Sequence, residues 1–380
     1  MVKNVKDILL DDFWIMPATP EYIEQGVPYI TSKNIKNGKI DFSKANYISQ
    51  DAYETISKNR PILVGDILIS MIGTLGETAE VTVEDGNFYG QNMFLIRLNE
   101  TEVNKRYFLN YFKSDFVKRS LASKQNQSTQ KYLKANHIED LRIPVLSLKE
   151  QQSIAETLDT IERIIINRKE ELLKLDELIK ARFIELFEKE EYKKVTVSSV
   201  LNTGFWLMPA TPEFVVDGEV PYITSKNIKN RTIDFDNVKY ISREAYKSIS
   251  ANRPTQKGDI LISMIGTLGQ TAVIQDDREF YGQNLYLLRL NNAIVNTTYF
   301  CEFFNSDTAQ YELQGKRNQS TQAYLKANHV EDLILPLPPM ELQEQFAAFV
   351  EQTDKSKFVV QKALDEAQLL FDSLMQKYFG

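Results

Sequence analysis

The chain has 380 residues, with 45 Lys and Arg against 52 Asp and Glu, a formal net charge of −7, and 43% hydrophobic residues. This length and composition fit two or three globular domains and do not suggest a disordered chain. Cys301 stands alone and there are only two histidines, His137 and His329, so a disulfide framework is excluded and little material remains for a zinc site. With no signal-peptide pattern and no apolar run of membrane-spanning length, a cytoplasmic chain without membrane contact is expected.

The first 145 or so residues read as mixed α/β with short strands. Val27 to Ile30, Ile67 to Ile72, Ala79 to Val83 and Met93 to Leu98 are apolar or β-branched runs. Gly73 to Gly76 reads as a turn, and Tyr107 to Lys118 carries apolar residues at helical spacing. From about Lys149 to Lys189 there is neither Pro nor Gly. There Ile154, Leu158, Ile161, Ile165, Leu172, Leu175, Ile179 and Leu186 follow a 4,3 alternation, with Arg168 and Arg182 at the remaining seam positions. That pattern predicts a heptad helix on the order of 60 Å long.

The chain then begins again. Trp14 to Glu21 recurs as Trp206 to Glu213 with one substitution, Ile15 for Leu207. Pro28 to Ser49 recurs as Pro221 to Ser242 with 16 of 22 positions identical, and Gly65 to Gly76 recurs unchanged as Gly258 to Gly269. Gln127 to Leu141 recurs as Gln319 to Leu333 with 13 of 15 identical. A second seam closes the chain: Phe346, Val350, Thr353, Lys357, Val360, Leu364, Ala367, Phe371 and Leu374. An offset of 192 or 193 residues means a duplicated domain rather than a solenoid.

The expected organisation is therefore a domain over 1–147, a helix over 148–190, a second domain over 191–340 and a second helix over 341–380. The fold class expected is α+β: two homologous mixed α/β domains joined by two long helices. Those helices would pair within the chain as an antiparallel coiled coil with pseudo-twofold symmetry. Charge is uneven: 18 basic and 18 acidic groups in 1–147, 8 and 11 in 148–190, 15 and 16 in 191–340, and 4 and 7 in 341–380. The two domains are thus near neutral, so charge alone does not indicate nucleic acid.

The order of the motifs resembles the specificity (S, HsdS) subunit of Type I restriction–modification systems, and the resemblance covers essentially the whole chain. It rests on Thr19-Pro20 and Thr211-Pro212, each followed by Val-Pro-Tyr-Ile, then Gly-Asp-Ile-Leu-Ile-Ser with Gly-Thr-Leu-Gly, and then Ser-Thr-Gln-x-Tyr-Leu. A Leu-x-x-Pro boundary follows, and then Leu-Lys-Glu-Gln-Gln (148–152) or Leu-Gln-Glu-Gln (342–345). The resemblance implies a non-catalytic subunit with two target recognition domains, each reading half of a gapped site in double-stranded DNA. The helices would serve as spacer and as docking surface for two methyltransferase subunits, with restriction subunits as further partners. S-adenosylmethionine would be bound by the methyltransferase and no cofactor by this chain. Family members commonly carry dissimilar recognition domains, whereas these are close copies, which implies near-identical half-sites in inverted orientation. The alternative reading is a duplicated coiled-coil scaffold that organises proteins without reading DNA.

Several absences agree with a non-catalytic role: there is no phosphate loop, no Asn-Pro-Pro-Tyr or Asp-Pro-Pro-Tyr run and no nucleophile beside either histidine. Base reading needs amide donors and acceptors, and phosphate binding needs Lys, Arg, Ser and Thr. Three segments in each copy supply them. One is Thr31, Ser32, Lys33, Asn34 and Lys36, matched by Thr224, Ser225, Lys226, Asn227 and Lys229. The second is Lys124, Asn126, Gln127, Ser128, Thr129, Gln130 and Tyr132, matched by Lys316, Arg317, Asn318, Gln319, Ser320, Thr321, Gln322 and Tyr324. The third is Gln91 and Asn92, matched by Gln283 and Asn284. The copies differ where Gly38-Lys39 becomes Arg231-Thr232, Lys131 becomes Ala323 and Gln125 becomes Arg317, so the half-sites are expected to differ in a base or in backbone affinity if these side chains reach DNA.

Overall fold

A computed structural model describes the chain except residues 18, 74, 125–131, 209–210, 217, 230, 266–267 and 317–323. It forms two compact units, Met1–Lys169 with Lys362–Gly380, and Glu170–Gln361. The long helices begin at Leu148 and Met340, beside the expected domain ends, but each unit takes a part of both helices.

In the first unit an antiparallel sheet of the described residues runs Leu9–Ile15, Met93–Leu98, Ile67–Ser70, Thr78–Glu80. Its two central strands, Met93–Leu98 and Ile67–Ser70, are nearly continuous apolar runs because both their faces are covered. Ile67, Ile69, Phe94 and Ile96 face the helical layer of Tyr107, Phe108 and Tyr111. Leu68, Met93 and Leu95 face a smaller sheet, in which Val27–Thr31 lies between Asn46–Ile48 and the parallel strand Tyr89–Gln91. That parallel contact is close enough to require glycine, since a Cβ on Gly90 would collide with the Ile30 carbonyl. The second unit repeats the plan. Its larger sheet is Leu201–Leu207, Leu285–Leu290, Ile260–Ser263, Thr271–Val273, and its smaller one is Lys239–Ile241, Val220–Ile223, Tyr281–Gly282.

The run expected as one helix, Tyr107 to Lys118, is two: Lys105–Lys113 and Asp115–Ser123. Ser114 divides them by closing the first helix and capping the second, its hydroxyl accepting from Val117 N at 3.3 Å. The aspartate of Gly-Asp-Ile-Leu-Ile-Ser ties strands together. Asp66, only 1% exposed, takes two bonds from Arg97 at 2.7 and 2.8 Å and one from the Leu63 amide at 2.7 Å. Asp259 does the same with Arg289 and the Gln256 amide.

The first long helix spans Leu148–Phe183 and continues into a π-helical turn at Ile184–Glu188; the second spans Met340–Phe379. In the first unit the start of one shares a core with the end of the other: Ile154, Ala155 and Leu158 with Met375 and Phe379. In the second unit the end of the first helix meets the start of the second, with Phe183 and Phe187 ring centroids 5.7 and 5.2 Å from Phe346. The order of these pairings is antiparallel. The expected 4,3 seam is buried at Ile154, Leu158, Ile161 and Ile165 of the first helix and at Phe346, Val350, Thr353, Val360 and Leu364 of the second, with Leu172 and Leu175 of the first half-buried. It fails at their C-terminal ends. There Ile179, Phe183 and Phe187 are buried at spacings of four, and so are Met375 and Phe379, one position beyond the half-buried Leu374. The last turns follow the wider stripe of a helix packed on a domain rather than a two-helix seam.

The Gln-rich motif after each boundary fastens the helix to its domain. Gln151 is fully buried; its Oε1 accepts from Asn104 N at 2.9 Å and its Nε2 donates to the Glu102 and Leu146 carbonyls, both at 2.9 Å. Gln343 repeats this with Asn296 N at 2.8 Å, Pro338 O at 2.9 Å and Ile294 O at 3.3 Å. The structure thus matches Gln151 to Gln343, a register two residues away from pairing the Leu-x-Glu-Gln runs.

Candidate nucleic-acid interface

The strand Ile67–Ser70 ends at a junction where the three candidate segments of the first copy come together. The Met71 amide donates to Ser32 Oγ at 3.3 Å, and the Ser32 hydroxyl donates to the Asn92 carbonyl. The Met71 carbonyl accepts from Leu133 N at 3.0 Å, and Ile72 forms a bridge with Tyr132. The second copy has the same junction with one shortcut, as Met264 N reaches the Asn284 carbonyl directly at 3.3 Å. Leu325 N donates to the Met264 carbonyl at 2.9 Å, and Ile265 bridges Tyr324.

Within the first segment the structure separates exposed side chains from those that build the turn. Asn34 Oδ1 accepts from Thr31 N at 2.9 Å and from Thr31 Oγ1 at 3.3 Å, while its Nδ2 donates to Asp41 O at 2.8 Å. Asn227 makes the same bonds to Thr224 and Asp234. Asn34, Ser32 and Ser225 are buried. The expectation that Ser32, Asn34, Ser225 and Asn227 contact DNA is therefore corrected. The asparagines bond their own loops on both sides of the amide, Ser32 bonds the junction, and Ser225 is buried in the matching turn. Lys33, Lys36, Lys226 and Lys229 remain exposed. Lys36 lies 3.6 Å from Asp41 and Lys229 lies 2.7 Å from Asp234. Hydrogen bonds from Ser43 hold the Asp41 carboxyl below its ordinary pKa, and Lys229 does so first for Asp234.

Asn92 and Asn284 sit at φ 62°, a left-handed turn position that asparagine tolerates, with half-exposed side chains. Gln91 accepts from Thr19 Oγ1 at 3.3 Å, whereas Gln283 accepts from the Tyr222 hydroxyl at 3.4 Å. Of the polar second segment, Asn126, Gln127, Ser128, Thr129 and Gln130, and Arg317, Asn318, Gln319, Ser320, Thr321 and Gln322, lie outside the described residues. Its described ends are Lys124 and Tyr132, and Lys316 and Tyr324, all half-buried.

Arg231 is also corrected as a candidate reader. It occupies the hairpin turn at φ 64° and pairs with Glu302, whose side chain is 5% exposed. The guanidinium neutralises a buried carboxylate of its own unit, where the first copy has Gly38 and Asn110. The histidines close the starts of short helices: Nδ1 of His137 accepts from Lys134 N, and Nδ1 of His329 from Lys326 N, both at 3.3 Å. Burial and then nearby lysines, Lys124 and Lys134 for one and Lys326 and Lys316 for the other, lower both imidazole pKa values. Cys301 is buried and its thiol is pushed up to about 12, which leaves it protonated and unreactive. Lys134 and Lys326, absent from the candidate segments, lie beside the junction; their signal in the sequence is the shared Tyr-Leu-Lys-Ala-Asn-His run. Among the described residues no His, Cys, Asp and Glu group could hold a metal, and no helix is long and apolar enough to cross a membrane.

The model of the Type I restriction modification DNA specificity domain matches this chain twice, over residues 16–175 and 189–367. The chain belongs to that family. Its specificity subunits are the non-catalytic DNA-recognition components of type I restriction–modification systems. It is 24% identical over 373 residues to the putative type I restriction enzyme MjaX specificity subunit of Methanocaldococcus jannaschii, with 93% of this chain and 86% of that one covered. It is 21% identical over 387 residues to the type I restriction enzyme EcoKI specificity subunit of Escherichia coli K12, with 93% and 82% covered. The type I restriction–modification S subunit of M. genitalium shares the fold, with a TM-score of 0.61, 15% identity, and 100% of this chain and 96% of that one covered. A structure from work on complex assembly and conformational transition of the type I R-M system gives 0.60 at 17% identity, covering 100% and 97%. The family match thus falls on both copies of the junction.

Proposed function

We propose that each recognition domain of this specificity subunit reads one half of a gapped, near-palindromic site in double-stranded DNA. The observation that carries this reading is the repeated junction. Both copies bring the described end of an amide-rich segment, Tyr132 or Tyr324, and a Gln-Asn turn to the same strand end, and in the first copy Ser32 of the lysine-bearing turn bonds there too. Side chains left exposed there can serve two roles. The half-exposed amides of Gln91, Asn92, Gln283 and Asn284 are of the type that reads base edges. Lys33, Lys36, Lys226 and Lys229 are of the type that binds phosphates. Amides of Asn126, Gln127, Gln130, Asn318, Gln319 and Gln322 belong to the first role by chemistry.

The chain works in a complex in which two methyltransferase subunits hold S-adenosylmethionine and carry out the transfer, joined by restriction subunits in the cytoplasm. The long helices set the gap between half-sites. The test is methylation mapping in cells that carry the chain with its methyltransferase partner, against cells lacking the chain. A new gapped motif with matching inverted halves is expected. A four-residue insertion in both helices should lengthen the gap; no new motif with an active, bound methyltransferase would overturn the reading.

A further inference from the structure

Two lysines and one imidazole frame the ends of the amide-rich segment in each copy. Lys124 ends the helix Asp115–Ser123, its amide bonded to the Leu121 carbonyl at 3.2 Å. Lys134 is fixed by the neighbouring Leu133, whose amide is held by the Met71 carbonyl. The exposed Lys134 also gives its own backbone N–H to His137 Nδ1 at 3.3 Å. A neutral imidazole that accepts at Nδ1 must carry its proton at Nε2. His137 therefore presents a fixed N–H donor, and the positive charges of both lysines bear on it. Lys316, Lys326 and His329 repeat the arrangement.

The two copies differ in the carboxylates around this cluster. Lys316 is tied to Glu312 at 2.7 Å, whereas Ser120 stands at the equivalent position beside Lys124. Asp140, which also acts on His137, is engaged by Lys6 at 3.6 Å. The matching Asp332 acts on His329, and Ser198 replaces Lys6. The cluster of the first copy is thus the more positive by two local differences.

We propose that Lys124, Lys134 and the Nε2–H of His137 clamp a DNA backbone phosphate, and that Lys326, His329 and a partly neutralised Lys316 form a weaker clamp of the same kind. The ligand class is a phosphodiester, bound without regard to sequence. The inference rests on the DNA reading above and assigns that reading a residue set outside the base-reading amides.

The test uses the full chain in complex with its methyltransferase partner and duplex DNA containing the mapped site, with a scrambled duplex as control. Each phosphate contact contributes roughly 0.9 to the slope of log affinity against log salt. Replacing Lys124 and Lys134 together by Gln should make the slope shallower by roughly one phosphate's worth, and replacing Lys316 and Lys326 by less. Glu312→Gln should steepen it. All of these variants should keep the ratio of affinities for the site and the scrambled duplex. His137→Asn keeps an acceptor for the Lys134 amide and removes the Nε2 donor, so it should weaken both duplexes by the same factor. Unchanged slopes in both lysine pairs would overturn the clamp, and so would a changed sequence ratio, which would make these residues base readers. Failure of the unaltered complex to prefer its site over the scrambled duplex would overturn the underlying reading instead.

Discussion

The two copies build the same domain and then fasten it to the long helices by different chemistry. In the first, the helix Lys105–Lys113 is charged on its helix-facing side: Arg106 meets Asp159 at 2.7 Å, Asn110 donates to Asp159 at 3.2 Å, and Lys113 meets Glu162 at 2.8 Å. In the second, those positions are Thr298, Glu302 and Asn305. Glu302 turns to Arg231 in its own domain, and Asn305 donates to Thr271 Oγ1 at 3.2 Å. What both copies share are multiply bonded groups that are buried or, at Asn227, half-buried: Asp66 and Asp259, Asn34 and Asn227, Gln151 and Gln343. Most of what they do not share lies in half-exposed ion pairs, each worth little by itself and therefore free to change, the exception being Arg231 with the buried Glu302. The duplication works as an internal alignment that sorts bonds the fold needs from bonds it merely has.

The sharpest way to break this division is at the buried glutamines. Gln151→Leu would leave the Asn104 amide and the Glu102 and Leu146 carbonyls without their partner, at about 1–3 kcal/mol for each buried group. A loss on the order of 3 kcal/mol is expected, and Gln343→Leu should match it within about 1 kcal/mol. Hydrogen exchange on peptides from each unit would read the two losses separately. A large loss in one copy and none in the other would show that the shared motif is not a shared fastening.

Next in size is the pair that only the second copy possesses. Arg231→Gly strips the partner from a buried carboxylate, which typically costs about 3–5 kcal/mol. Here the guanidinium is 35% exposed and glycine suits the left-handed turn, so about 2 kcal/mol is expected. The double change Arg231→Gly with Glu302→Asn installs the chemistry of Gly38 and Asn110 and should recover most of that loss. Methylation by the same variants should keep the same half-site. An altered half-site with the pair intact elsewhere would return Arg231 to the recognition surface.

Much of this was legible in the residues. The repeat set the domain count, and the apolar runs located Met93–Leu98 to the residue. The heptads announced both long helices and, through buried Ile161, Ile165, Val360 and Leu364, their seam. What escaped depended on long-range partners. Nothing local in Thr-Ser-Lys-Asn distinguishes a base-reading asparagine from one whose amide is consumed by a carbonyl seven residues later. Arg231 looked like a surface gain because Glu302 lies 71 residues away. The ends of the seam shifted because Phe187 and Phe379 also answer to the aromatic residues Tyr299, Tyr107 and Tyr111 of the domains, at 4.7 to 5.8 Å, as well as, for Phe187, to Phe346 of the opposite helix. Gln151 sat inside a recognised motif, yet its work became visible only with its three backbone partners in place.

The smallest contrast concerns one hydroxyl. Tyr29 is fully buried, and its hydroxyl has no partner among the described residues, while the matching Tyr222 donates to Gln283 at 3.4 Å. Gln91, which could have taken that bond, is engaged by Thr19 in an exposed position. Removing an unsatisfied buried hydroxyl relieves a desolvation cost, whereas removing a bonded one forfeits about 0.5–1.5 kcal/mol, less for a long bond. Tyr29→Phe should therefore be neutral or stabilising by up to about 1 kcal/mol, and Tyr222→Phe destabilising by about 0.5 kcal/mol. Opposite signs in the denaturant response of the two units would place the Gln91 amide outward and the Gln283 amide inward, a difference at the recognition junction between two otherwise matching turns. Equal signs would mean that both glutamines adopt one state, and any asymmetry in DNA affinity would then rest on the lysines and their carboxylates alone.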